Sequence, residues 1–418
     1  MVYESDEIVS VKIAVVPGQF LVSPHAFITN QIAWLCKLDH EVDILVSALP
    51  KKEFLGDIEQ RILKKVFTIT PPRDWRKRFL AGGKIIRELV RSDLKSLIDS
   101  LNFVKYRREA LSLRNLFRFY HFLNHTYDIL HCHFGDVAKK YVFLKNGISP
   151  FKLIVTFHGY DFTLIPQQYT SGFYKELFQK ADLVTVGSTF AQKRLIALNC
   201  SPDKVIVLPM CVDLKKFTFK PKYLKSGEKI KILTVARLVE KKGLAFAIKA
   251  IARLIATYPN LEYKIIGDGP LRNELALLVG ELKLGNIVSF AGEQSQRSVI
   301  SAYQESHIFM LPSVTATNGD MESQSVVIAE AQAAGLPVIA TYHDGIPESI
   351  EENKSGFLVP EKNVEALAAK LQFLFDNPNL WPKMGRMGRK YVEHKFDCSK
   401  TCTRLVEIYE SLLRNKNN

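Results

Sequence analysis

The chain has 418 residues, enough for two domains that each bury a core, and its 47% hydrophobic and 24% charged side chains exclude a disordered or fibrous protein. No apolar run approaches the roughly 18 residues a membrane-crossing helix needs, and the opening MVYESDEIVS is acidic where a secretory leader is basic, so a cytoplasmic location is expected. Lys and Arg outnumber Asp and Glu by 57 to 43, a formal charge of +14 that calls for an anionic partner: a phosphorylated substrate, an acidic membrane surface or nucleic acid.

Short apolar runs alternate with helix-length periodic segments from end to end, the pattern of parallel sheets flanked by helices. The first half reads as strands KIAVV, EVDILVSA, DILHCHF, KLIVTF, DLVTVGS and KVIVLP. Gly18 follows KIAVV in the turn PGQF, where the missing side chain lets backbone N–H groups approach a phosphate. Residues 73–125 form a helical insertion carrying 13 Lys or Arg against 5 acids, interleaved with Trp75, Phe79, Phe103, Tyr106, Phe117, Phe119 and Tyr120. Such a basic amphipathic stretch suits an anionic bilayer; a solvated charged face is the other reading. In DILHCHF, His131 and His133 share one face of a strand, and packing is favoured over a metal pair because no third ligand lies nearby in sequence. His158 ends KLIVTF in the turn His158-Gly159-Tyr160-Asp161, a place where a histidine can meet a ligand.

A proline- and lysine-rich stretch of weak periodicity, about 211–228, reads as a linker between a first domain over 1–210 and a second over 229–395, with a closing helix in 396–418 packing back on the first domain. The second half restarts with KIKILTVARL, then YKIIG, IVSFAG, HIFMLP, PVIAT and GFLVP. Arg237 ends its first strand and Lys242 follows five positions on; a guanidinium and an ammonium there can neutralise a diphosphate and the charge that grows as it departs. Gly267-Asp268-Gly269-Pro270 makes a tight strand-to-helix turn, with Pro270 suited to the first helical position. The six cysteines are scattered without a C-x-x-C pair, so reduced thiols are expected.

The most informative segment is ESQSVVIAEAQAAGLP, residues 322–337, in which Glu322 precedes a helix and Glu330 lies inside it. A helix start offers unpaired N–H groups to a phosphate, here those of Gln324, Ser325 and Val326. Two carboxylates in that place repel phosphate and must hold something else, such as sugar hydroxyls; the plainer alternative is a dipole-favoured acid and a lysine-paired one. No G-x-G-x-x-G or Walker A sequence is present, which argues against a dinucleotide oxidoreductase or a P-loop kinase. Nor is there a D-x-D pair of the kind that holds a divalent metal on a diphosphate.

Glu322 and Glu330 match the E-x7-E signature of the retaining glycosyltransferases of family 4, and Arg237 and Lys242 match that family's R-x4-K pattern. The resemblance runs through most of the chain and is strongest over about 230–360. FITNQIAWL, HEVDIL, HCHFG and TFHGYD look like the exopolysaccharide branch, the colanic-acid and amylovoran type. It implies a GT-B architecture, two Rossmann-like doubly wound domains facing across a cleft. It also implies transfer of a hexose, with retention, from a UDP- or GDP-linked sugar to a saccharide acceptor, lipid-linked in this branch, at the cytoplasmic membrane face. Glu322 would touch the donor sugar and Glu330 the ribose. Arg237, Lys242 and the N–H groups of Gln324, Ser325 and Val326 would take the phosphates, His158 would lie against the donor sugar, and Gly267 and Asp268 beside the nucleotide. No divalent metal or other cofactor is then required. Where relatives carry Ser-Glu-Thr before the first helix this chain has Ser23 followed by Pro24, His25 and Ala26, which leaves that substrate contact open. A sugar-nucleotide epimerase of the same fold remains an alternative that the basic insertion disfavours. A nucleic-acid-binding protein is the other, disfavoured by the lack of any reading motif.

Overall fold

The structure, a computed structural model, describes residues 10–18, 26–48, 64–92, 94–102, 104, 108–146, 150–169 and 172–414. Ser23, Pro24, His25, Phe103 and Tyr106 lie outside the described residues. Among the described residues, thirteen parallel strands form two sheets. The first holds β1 (Lys12–Val16), β2 (Glu41–Val46), β3 (Val66–Thr68), β4 (Ile129–His133), β5 (Lys152–Phe157), β6 (Leu183–Val186) and β7 (Val205–Val207), in the order β3-β2-β1-β4-β5-β6-β7. The second holds β8 (Ile230–Val235), β9 (Leu261–Ile266), β10 (Val288–Phe290), β11 (Ile308–Leu311), β12 (Val338–Thr341) and β13 (Gly356–Val359), in the order β10-β9-β8-β11-β12-β13. Both are doubly wound, and the direction of winding reverses between β1 and β4 and between β8 and β11. Ligands of such sheets bind outside the carboxyl ends of the strands at these reversals.

The apolar runs that the sequence presents as strands are buried on both faces, as parallel strands under two layers of helix must be. Ile13, Ala14, Val15, Ile129 and Leu130 are all sealed from solvent in the first sheet, and Ile308, Phe309, Met310 and Leu311 in the second. β3 was not among the expected strands. Val66–Thr68 has three residues, none fully buried, at the sheet edge, and gives too short an apolar signal to separate from a loop.

The helix Cys398–Arg414 leaves the second domain and covers the first. Leu405, Ile408 and Tyr409 enter the core with Ile13, Val15, Ile28 and Ile32, and the Tyr409 hydroxyl bonds His131 Nδ1 at 2.7 Å. Burying each of the two aliphatic side chains contributes roughly 1.5–3 kcal/mol. The start of that helix is joined to the linker by a Cys211–Cys398 disulfide, which corrects the expectation of reduced thiols throughout. Residues 187 positions apart carry no sequence signal of pairing, and only the return of the last helix brings them together. A smaller correction concerns Pro270, which sits in the turn rather than opening the helix; that helix runs Arg272–Glu281.

Candidate functional site

Three consecutive residues after β8 grip the long loop after β11. The Glu240 carboxylate accepts from the Thr317 N–H at 2.9 Å and its hydroxyl at 2.8 Å. Lys241 Nζ donates to Asp320 and to the Met321 carbonyl, both at 3.1 Å, and Lys242 Nζ pairs with the Glu322 carboxylate. What allows this approach is Gly243, with φ of +64°, because a Cβ there would lie 1.8 Å from the Pro312 carbonyl oxygen. Lys242 and Glu322 are each 13% exposed. Burial would raise the Glu322 carboxyl, but Lys242 and Lys241 outweigh it and hold the group below the ordinary carboxylate range.

The backbone of Glu322 is fixed as firmly as its side chain. Its N–H donates to His343 Nε2 at 2.9 Å, which makes Nδ1 the protonated nitrogen; Nδ1–H donates to Glu361 at 2.5 Å, and Glu361 accepts in turn from the Thr315 N–H at 2.7 Å. Neither His343 nor Glu361 was singled out in the sequence. They come from β12 and β13 ends far along the chain, and only sheet topology assembles them.

The helix Val326–Ala333 begins just beyond Glu322, and the N–H groups of Gln324, Ser325 and Val326 have no acceptor among the described residues. These are the orphan donors of a helix start and can meet a phosphate. The Gln324 side chain has a different task. Its Oε1 accepts from the Met210 N–H at 2.7 Å and its Nε2 donates to the Met210 carbonyl at 3.2 Å, tying the second domain to the end of the first. One turn into the helix, Glu330 accepts from the Tyr303 hydroxyl at 3.0 Å, and burial pushes its carboxyl up to about 7.

Arg237 is exposed at the end of β8 and makes no ion pair or side-chain hydrogen bond among the described residues. Gly267, with φ of +129°, packs its backbone against the residue before it: a Cβ would lie 2.0 Å from the Ala236 carbonyl oxygen. The Leu238 N–H donates to the Asp268 carbonyl at 3.0 Å, so Arg237 and the Gly267–Asp268 turn are neighbours. The Asp268 carboxylate accepts from the Gly269 N–H at 2.7 Å and serves the turn.

The first domain supplies the opposite wall. Asp161, fully buried, accepts from the N–H groups of His158 at 3.1 Å, Gly159 at 2.8 Å and Gly135 at 3.1 Å, and so shapes the turn that carries His158. Burial outweighs these donors and pushes its carboxyl up to about 6. The sequence offered a clue in an Asp two residues after a glycine at a strand end, a frequent backbone-capping arrangement. His158 Nε2 meets His133 Nδ1 at 3.0 Å. His131 bonds Thr156 at 2.6 Å as well as Tyr409, and burial pushes it down to about 3, so its ring is neutral. The rings of His131 and His133 stack at 4.6 Å, which fits packing; among the described residues no group of three His, Cys, Asp or Glu could hold a metal. Gly18, with φ of +71°, lies beside Phe134, whose ring is 4.6 Å from that of His158.

The two walls meet. A Cβ on Gly159 would lie 3.7 Å from Cβ of Ser323, the neighbour of Glu322. Glu348, in the turn after β12, accepts from the Thr189 N–H at 2.9 Å, the Thr189 hydroxyl at 2.6 Å and the Phe190 N–H at 3.2 Å, capping the helix Thr189–Ala197 from across the domain boundary.

Known proteins are similar to this chain over most of its length. A family model described as Glycosyltransferase Family 4 matches residues 26–216, and one described as Glycosyl transferases group 1 matches residues 215–391. The chain is 32% identical to the putative colanic acid biosynthesis glycosyltransferase WcaL of Salmonella typhimurium, covering 84% of this chain and 88% of that protein. It is also 32% identical to the amylovoran biosynthesis glycosyltransferase AmsK of Erwinia amylovora, covering 94% and 98%. Among solved structures, a glycosyltransferase from Rickettsia africae superposes with a TM-score of 0.70 at 21% identity over 97% of this chain and 99% of that one. Anabaena HepE in complex with UDP and glucose does so at 0.70 and 16%, over 96% and 100%, a likeness of fold. With two Rossmann-like sheets closing on Glu322, the chain belongs to the family 4 glycosyltransferases of GT-B fold, alongside the colanic-acid and amylovoran enzymes.

Proposed function

We propose that this glycosyltransferase moves a hexose from a nucleoside-diphosphate sugar to a saccharide acceptor, with retention of anomeric configuration, in the assembly of a cell-surface polysaccharide. The observation that carries the reading is the Glu322–Lys242 pair, held beside unused helix N–H groups, with the adjoining Ser323 set against Gly159 of the first domain. Lys242, Arg237 and the N–H groups of Gln324, Ser325 and Val326 bind the diphosphate and stabilise the charge that grows on it. Glu322 takes sugar hydroxyls and Glu330 the ribose. The bond from the anomeric carbon to the phosphate oxygen breaks with its electron pair moving to the phosphate. The acceptor oxygen then bonds that carbon from the same face, and its proton passes to the departing phosphate. Lys242, Arg237 and a helix start do the work that a divalent metal does elsewhere, so no metal is required.

The acceptor we propose is a lipid-linked oligosaccharide at the cytoplasmic membrane face. Supporting this, the helix Trp75–Ser92 leaves Trp75 63%, Phe79 63% and Leu80 77% exposed among Arg73, Arg76, Lys77, Arg78 and Lys84. No helix of the described residues is long and apolar enough to cross a membrane. Related mannosyltransferases are named for GDP-mannose and phosphatidylinositol mannosides, and HepE was crystallised with UDP-glucose, so both bases enter the test. A thermal-shift panel of UDP-, GDP- and ADP-sugars should give one stabilising series, and the product of that donor should keep its anomeric configuration. No stabilisation by any nucleotide sugar, or an inverted product, overturns the reading.

A further inference from the structure

Near Glu322 the cleft holds hydrogen-bonding capacity that the protein does not use. Asp344 follows His343 in the turn after β12, with φ of +49°, a left-handed conformation that Asp tolerates better than most side chains. Both of its carboxylate oxygens are shielded from solvent, and beyond the adjoining Gly345 N–H neither meets a hydrogen-bond partner in the protein. Ser323, adjacent to Glu322 and 3% exposed, has an unpartnered Oγ, as has Ser325 two residues on. A buried polar group left unpaired costs about 1–3 kcal/mol, so native proteins rarely keep several in one place without a use for them.

These groups share one location. The Glu322 N–H bonds the ring of the residue before Asp344, and the Asp344 carboxyl lies within electrostatic reach of Glu322. A Cβ on Gly345 would come 2.2 Å from the Ser323 carbonyl oxygen, so the turn abuts the loop, while Ser323 itself faces Gly159 on the opposite wall. The remaining charged groups that act on Asp344 are Arg194 of the first domain and Lys241. Burial and the Glu322 charge push the Asp344 carboxyl up to about 8, with Arg194, the Gly345 N–H and Lys241 opposing. At neutral pH it is an uncharged acid able both to donate and to accept. A phosphate is a poor match for such a group beside the Glu322 carboxylate, and an apolar ligand would leave every one of these atoms unpaired. Vicinal hydroxyls, each both donor and acceptor, satisfy them.

We infer that Asp344, together with Ser323, reads the hydroxyl groups of the donor sugar held against Glu322 and sets which epimer the cleft accepts. This rests on the donor reading above and goes beyond it by assigning sugar selectivity to a turn outside the E-x7-E segment. The test measures, by calorimetry on the full chain, affinities for the bare nucleoside diphosphate and for its sugar conjugates across an epimer and deoxy-sugar panel. Asp344→Ala and Ser323→Ala should bind the nucleoside diphosphate within about twofold of the parent and lose about tenfold in affinity for the preferred conjugate, flattening the panel. Asp344→Asn, neutral and of the same shape, should keep most of that preference. It should also keep it above pH 8, where the parent loses sugar affinity as its acid ionises. Should Asp344→Ala fail to fold, Ser323→Ala and the pH series on Asp344→Asn decide. Unchanged discrimination in the alanine variants, or a parent whose sugar affinity is flat through pH 8, overturns the inference while leaving the donor reading intact. Failure of the parent to bind any nucleotide sugar overturns both.

Discussion

Gln324 and Met210 exchange two hydrogen bonds across the domain boundary, the amide oxygen accepting from the Met210 N–H at 2.7 Å and the amide nitrogen donating to its carbonyl at 3.2 Å. Gly187 leaves them no slack, since a Cβ there would lie 2.5 Å from Gln324 Oε1. The loop that carries Glu322 is therefore anchored at the last residue before the linker disulfide. Gln324→Ala removes both bonds, worth about 0.5–1.5 kcal/mol each. Its expected result is a larger radius of gyration in solution scattering and a weaker apparent affinity for the nucleotide sugar, with each domain still folded. Scattering curves that superpose on the parent's would show that the contact does not restrain domain opening.

Glu322 and Lys242 form one ion pair but face different parts of the proposed donor. Glu322→Gln should bind the nucleoside diphosphate almost normally while turnover falls about 100-fold or more, as when one positioned catalytic group is lost. Lys242→Ala and Arg237→Ala should lower turnover and also weaken the bare diphosphate. The Lys242 variant carries a further cost, because Glu322 is left buried without its ion-pair partner. Near parental turnover in Glu322→Gln would reduce that carboxylate to a partner of Lys242.

Arg237, Lys242 and Glu322 stand where they do because each follows a strand, and strands of a buried parallel sheet are legible as continuous apolar runs. That is why two sheets could be counted from sequence, and why the second was read in full. β3 escaped because three residues at a sheet edge, two half-buried and one exposed, make no run. The sequence also shows which residues end strands, but not which strand ends lie side by side. His343, Glu361 and Asp344 matter through the order β8-β11-β12-β13, and nothing local to YHDG or VPEK marks them. Glu348 is similar: an acid in a polar turn looks solvated until the Thr189 helix of the other domain is set against it. Cys211 and Cys398 meet only because the last helix returns to the first domain.

Donor turnover should survive excess EDTA, since the sequence has no D-x-D pair and Arg237 and Lys242 are proposed to balance the diphosphate in a metal's place. Activity after chelation, compared with activity after adding back Mg2+ or Mn2+, measures this directly. Loss on chelation with recovery on either metal would contradict it.

Binding to anionic vesicles is expected at low salt and should weaken as salt screens the basic face over a Debye length of about 10 Å at 0.1 M. Trp75 and Phe79 stand on one exposed flank with their rings 6.3 Å apart. Replacing both by Ser should reduce flotation further without lowering the melting temperature, because neither contributes to the core. Equal flotation of parent and variant would mean that charge alone holds the protein at the surface.

Glu330 gives a pH dependence whose sign can be worked out in advance. Its carboxyl is raised to about 7 by burial, with the Tyr303 hydroxyl and Lys216 opposing, whereas an unfolded Glu titrates near its ordinary value of 4.5. Between those values the folded protein holds a proton that the unfolded chain has released. The stability tied to this proton is therefore complete below about 4.5 and is lost as pH rises through about 7. The loss is on the order of 3 kcal/mol, at 1.36 kcal/mol for each unit of pKa. Glu330→Gln keeps the shape and the acceptor for Tyr303 but cannot ionise. The melting-temperature difference, variant minus parent, should thus be near zero at pH 5 and grow positive towards pH 8. At the same time the variant should bind the nucleoside diphosphate more weakly, because an amide is a poorer acceptor than a carboxylate for the paired ribose hydroxyls. A constant difference across pH would show that Glu330 ionises freely in the folded protein. Unchanged nucleotide affinity would remove it from the ribose contact and leave Tyr303 as its only partner.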